Sequence, residues 1–90
     1  MDGSNNVVIA HELLHTVGAT DKYSLVDDAP RFPDGYGNPV QVPLYPQRTA
    51  EIMAGRRMLA AHKWQQAESL DEVVIGPATA LEIRWPQHAL

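Results

Sequence analysis

Ninety residues, 44% of them hydrophobic, can bury one modest core, so a single domain over residues 1–90 is expected. A net charge of −4 leaves no basic footprint for nucleic acid or an anionic membrane surface, and Arg56-Arg57 is too short a run to supply one. Without cysteine, disulfides and thiolate metal sites are excluded; without a signal peptide or an apolar run near the roughly twenty residues of a membrane span, the chain is expected to be soluble.

The first predicted element is a helix over about residues 6–17, with Ser4, Asn5 or Asn6 as the residue that caps its start. Val7, Ala10, Leu14 and Val17 form one apolar stripe, Ile9 and Leu13 a second, and Val8, His11, Glu12 and His15 share a further face. At 3.6 residues per turn, His11 and His15 stand one turn apart and can reach a single zinc ion. Glu12 sits one position around the helix, where its carboxylate can hold a water proton without occupying a coordination position. Gly18 can take the left-handed conformation that ends a helix, and beyond it Asp21 can return toward the ion as a third ligand. Two histidines, an aspartate and a water make an open site, the arrangement of metal-assisted hydrolysis.

Residues 22–50 read as an ordered irregular loop, because five of the seven prolines lie between Pro30 and Pro46, with Asp34-Gly35 and Gly37-Asn38 as turn signals. Within it Val40, Val42 and Leu44 carry a weak extended signal that could border the cleft. Arg57 to Glu68 is permissive for helix. Gly76-Pro77 opens a last helix over about residues 77–85, with Ala78, Leu81 and Trp85 as its apolar stripe and Pro86 as its stop.

The run His11-Glu12-Leu13-Leu14-His15-Thr16-Val17-Gly18-Ala19-Thr20-Asp21 resembles the extended zinc signature of the metzincin metallopeptidases. Asp21 in place of the usual third histidine, followed by Lys22-Tyr23, is similar to the snapalysin-like members. Glu51-Ile52-Met53-Ala54-Gly55 looks like the clan's Met-turn, over residues 51–55, with Met53 as the floor beneath the ligands. Several metzincins place a tyrosine two residues after that methionine, where this chain has Gly55. The resemblance implies a mostly α fold with long irregular loops, the zinc-site half of a metzincin-like α+β catalytic domain with the upstream sheet absent.

Each of these residues also has a plainer reading: histidines solvated on an ordinary amphipathic helix, Met53 as core filler, Asp21 as a turn residue. Glu51 or Glu72 competes with Asp21 for the third ligand position, as in gluzincins, where a later helix supplies a glutamate. Asp21 leads because its spacing agrees with the glycine stop. His62 and His88 read as surface or partly packed side chains. Tyr23, Tyr36 and Tyr45 are candidates to stabilise an oxyanion that only distance to the metal can separate.

The function these residues point to is zinc-dependent endopeptidase, with Glu12 as base and His11, His15 and Asp21 as zinc ligands acting on a peptide or protein substrate. The alternative is a non-catalytic zinc-binding fragment or pseudoenzyme acting in assembly or protein interaction. The apolar stripes of the first helix exceed what the loop can cover, so a homo-oligomer, a partner polypeptide or a missing N-terminal segment is expected.

Overall fold

The computed structural model describes residues 3–89, and the side chains of residues 5–84 within them. Helix α1, Gly3–Thr16, starts before the expected boundary, so Asn5 and Asn6 lie within its first turns instead of capping it. Ser4's side chain lies outside the described residues. The end of α1 follows the expected chemistry. Gly18, at φ 109°, occupies the position just past the helix, where a side chain would strain the backbone. The Ala19 N–H reaches back to the Leu14 carbonyl (3.0 Å) and the Gly18 N–H to that of His15 (3.2 Å), the paired bonds of a Schellman stop.

The chain from Val17 to Thr49 is irregular, with single bridges Tyr23–Pro30 and Tyr36–Ala50. Its proline-rich part is organised by fully buried Gln47. That side chain accepts the Asn38 N–H (2.7 Å) and donates to the carbonyls of Asn38 and Leu44, both at 2.8 Å. One amide thus does locally what a sheet ladder would do, in a segment whose prolines lack amide donors. Val40 and Val42 are exposed and form no strand, which corrects the extended reading of that stretch.

Strand β1, Ala50–Glu51, pairs in parallel with β4, Val73–Val74. Between them, Arg56–Ala60 (β2) and Lys63–Gln66 (β3) form an antiparallel hairpin with Met58 opposite Trp64. The helix that Arg57 to Glu68 permits does not form. Tertiary pairing overrides that weak propensity: Met58 is buried, and its carbonyl accepts the Gln47 N–H at 2.7 Å. A short 3-10 turn, Leu70–Glu72, leads into β4. Helix α2, Pro77–Ala89, starts at the expected proline but continues beyond Pro86. Its inward positions are fully buried Thr79 and core-packed Ile83, one turn apart, while Leu81 is exposed. The expected Ala78–Leu81–Trp85 stripe is therefore out of phase at Leu81; the side chains of Trp85 and His88 lie outside the described residues.

The mostly α fold is thus incorrect. Among the described residues two helices share the molecule with four short strands in two separate two-stranded sheets. Val7, Ala19, Ala50, Ile52, Met53 and Ala67 form the core, with Ala10, Leu14, Val73 and Ile83 packed against it. Val7, Ala10 and Leu14 of the inner stripe thus meet the segment around Met53, while Val17 is exposed. Among the described residues no helix is long and apolar enough to cross a membrane.

Candidate metal centre

His11 and His15 lie on the last two turns of α1, and the Schellman stop turns the chain so that Asp21 faces them. Asp21 Oδ1 is 2.9 Å from each Nε2, and the two Nε2 atoms are 3.0 Å apart. The other ring nitrogens decide what this triangle means. His11 Nδ1 lies 2.9 Å from the Ile52 carbonyl oxygen, and His15 Nδ1 lies 2.8 Å from that of Ala19. A carbonyl only accepts, so both Nδ1 atoms carry a proton and donate it. In the neutral rings both Nε2 atoms then present lone pairs, aimed at each other and at a carboxylate oxygen.

Three electron-rich atoms at this separation repel one another unless positive charge lies among them. An added ring proton can bridge only one edge of the triangle, whereas a cation satisfies all three. The edges approach the roughly 3.3 Å expected between tetrahedral donors about 2.0 Å from zinc. Imidazole nitrogen with a single carboxylate suits zinc, so the donor set fits that ion.

Glu12 is exposed, yet a carboxylate oxygen lies within 4.8 Å of one ligand atom on each histidine. His11, Glu12 and His15 are therefore compact enough to hold a cation by themselves. Asp21, touching both Nε2 atoms, is the closer carboxylate.

The segment Glu51–Gly55 reaches the site through backbone. Ile52 supplies the carbonyl that orients His11, and the Met53 carbonyl accepts the Lys22 N–H at 3.0 Å, fixing the residue next to Asp21. Met53 is fully buried in the core beneath this turn. Glu51 is not placed as a ligand: its buried carboxylate accepts the N–H groups of Met53 (2.6 Å) and Gly76 (2.7 Å). The Glu72 carboxylate instead accepts the Glu68 N–H at 3.1 Å.

A cavity of about 180 Å³ opens beside the centre, lined by Val7, Val8, His11, Glu12, Tyr23, Ala54, Gly55, Arg56 and Gln66. Of the three tyrosines only Tyr23 lines it. The Asp21 charge and burial raise the pKa of Tyr23, with Arg56 opposing. Tyr36 and Tyr45 bond to each other through their hydroxyls at 2.8 Å, and burial together with that bond raises the Tyr36 pKa. Val40, Val42 and Leu44 do not border this cavity.

Two features escape the sequence. Buried Lys22 donates to the Thr20 carbonyl (2.8 Å), the Thr20 hydroxyl (2.7 Å) and Glu82 on α2 (2.7 Å), tying the last helix to the loop that carries Asp21. Lys22 and Glu82 are sixty residues apart, and no local pattern joins them. Arg56, directly after the turn residue Gly55, lines the cavity. No family model, no curated protein and no solved structure matches this chain.

Proposed function

We propose that this protein is a zinc-dependent peptidase of the kind its metzincin-like motif implies, with His11, His15 and Asp21 holding the ion and Glu12 as the catalytic base. The observation that carries this reading is the convergence of two imidazole lone pairs and one carboxylate oxygen within 3.0 Å, beside an uncommitted glutamate in an open cavity. Zinc, when bound, supplies the Lewis acidity that brings a water toward deprotonation near neutral pH and polarises a carbonyl. The Glu12 carboxylate takes the proton from the attacking water and returns it to the leaving amine. Ile52 and Ala19 hold the imidazoles in the ligating tautomer through their carbonyls. Tyr23, on the wall of the same cavity, is the tyrosine we assign to stabilising the oxygen on which negative charge develops.

A single conservative substitution tests the mechanism. Glu12→Gln should keep zinc yet lower peptide turnover on the order of a hundredfold or more, and chelation should abolish it in the parent protein. Cleavage insensitive to chelator, or equal in the Glu12→Gln protein, contradicts the mechanism.

A second reading, a zinc-bound module acting in assembly or protein interaction, draws support from the exposed Ile9 and Leu13 on α1 and from strands of only two to five residues. Retention of Glu12 favours the peptidase, because a structural site requires ligands and no base.

A further inference from the structure

We propose that Arg56 makes the cavity beside the metal centre a carboxylate subsite, so that the preferred substrates are peptides bearing an acidic group next to the scissile bond. This rests on the peptidase reading and adds its substrate class. Arg56 opens β2 directly after Gly55, whose φ of +71° ends the preceding turn. A Cβ at Gly55 would meet nothing within 4 Å, and both Gly55 and Arg56 line the open cavity.

The group is held but not neutralised. Its Nη1 donates to the Ala54 carbonyl at 3.1 Å, and its Cζ lies 5.2 Å from the centre of the Tyr23 ring, an attractive cation–π position. Among the described residues no carboxylate lies within ion-pair distance of it. A guanidinium fixed at one nitrogen and one face presents its remaining N–H groups as a pre-ordered fork, the geometry that pairs with a carboxylate through two parallel bonds.

The charge balance agrees. A zinc ion is offset by the unit negative charges of Asp21 and Glu12, so the excess positive charge within the cavity is that of Arg56. Val7 and Val8 form an apolar wall on the α1 side, which lowers the local dielectric and strengthens such a pair. The acidic group can be an aspartate or glutamate side chain or a free C-terminal carboxylate, and both offer the same two oxygens.

The test measures cleavage by the zinc-loaded protein, and binding to its Glu12→Gln form by calorimetry, with matched peptides. One pair differs as Glu against Gln inside a C-terminally amidated peptide; the other differs as free acid against amide at the C-terminus. The carboxylate member of at least one pair should be favoured on the order of tenfold or more in kcat/KM and in Kd. Arg56→Gln should reduce that ratio to about unity, and Arg56→Lys should restore part of it, which a merely misfolded cavity would not do. Whichever pair responds identifies the source of the carboxylate. Cleavage without carboxylate preference, or preference that survives Arg56→Gln, overturns the subsite and leaves the peptidase intact. Arg56-dependent binding without cleavage supports the subsite and removes the peptidase.

Discussion

Each histidine is held through its Nδ1 by one backbone carbonyl, of Ile52 for His11 and of Ala19 for His15, and Asp21 is held through its neighbour. Lys22 transmits that restraint in two directions, by its N–H to the Met53 carbonyl and by its ammonium to Thr20 and Glu82. Burial of Glu82 acts to raise its pKa, but the bonds from Lys22 and Thr20 outweigh it, and the net pKa lies below the ordinary 4.5. A carboxylate depressed in the folded state contributes stability that is fully present above the unfolded value and is lost as pH falls through the folded one. The protein should therefore lose stability below about pH 4.5, through Glu82 among other carboxylates. Glu82→Gln should lower stability at neutral pH by about 1–2 kcal/mol and flatten the acid limb of the stability curve. Urea unfolding at a series of pH values measures both, and an unchanged acid limb would show that Glu82 carries no linkage.

At the scale of the elements, the stop of α1 and the turn after β1 converge on one point. The Schellman bonds deliver the Ala19 carbonyl to His15, and the turn Glu51–Gly55 delivers the Ile52 carbonyl to His11. Gly18→Ala must hold a side chain at φ 109°, so it should destabilise the fold by about 1 kcal/mol or more and weaken zinc binding in step, as Ala19 shifts. Thermal melts of the metal-free protein and zinc titration together test this; an unaltered affinity would separate the helix stop from the site. The local chemistry of α1 was legible because its signals are short-range: two histidines at helical spacing, a glycine, and an aspartate three residues on. The hairpin of β2 and β3 is not, since Met58-Leu59-Ala60-Ala61 has helix-permissive residues and the strand state comes from the pairing of Met58 with Trp64 and the bond of its carbonyl to the Gln47 N–H. Gln47 itself gives no pattern in sequence, as its side chain pairs only with backbone groups of Asn38 and Leu44, which any residue could supply.

For the whole molecule, the apolar residues of α1 divide between a buried and an exposed face. Val7 is buried and Ala10 and Leu14 pack on the core, while Ile9 and Leu13 remain exposed, Leu13 lining an apolar groove with Leu70, Val73, Val74 and Ile75. Association with a second copy is therefore retained as a proposal, with the outer face of α1 at the contact. Sedimentation at micromolar concentration should show a species larger than 9.9 kDa, and Leu13→Glu should dissolve it; a cooperatively folding monomer sets the proposal aside. The resemblance implies a mostly α fold, but a motif confined to α1 and one turn carries no information on pairings such as Ala50 with Val73, which join segments that share no local signal.

The account as a whole turns on whether His11, His15 and Asp21 bind one metal ion together. Competition of the metal-free protein with a chromophoric chelator for zinc gives stoichiometry and affinity in one titration. One equivalent is expected for the parent and for Glu12→Gln, weaker binding for Asp21→Ala, and no stoichiometric binding for the combined His11→Ala and His15→Ala protein. A full equivalent of zinc retained by that double variant would contradict the site.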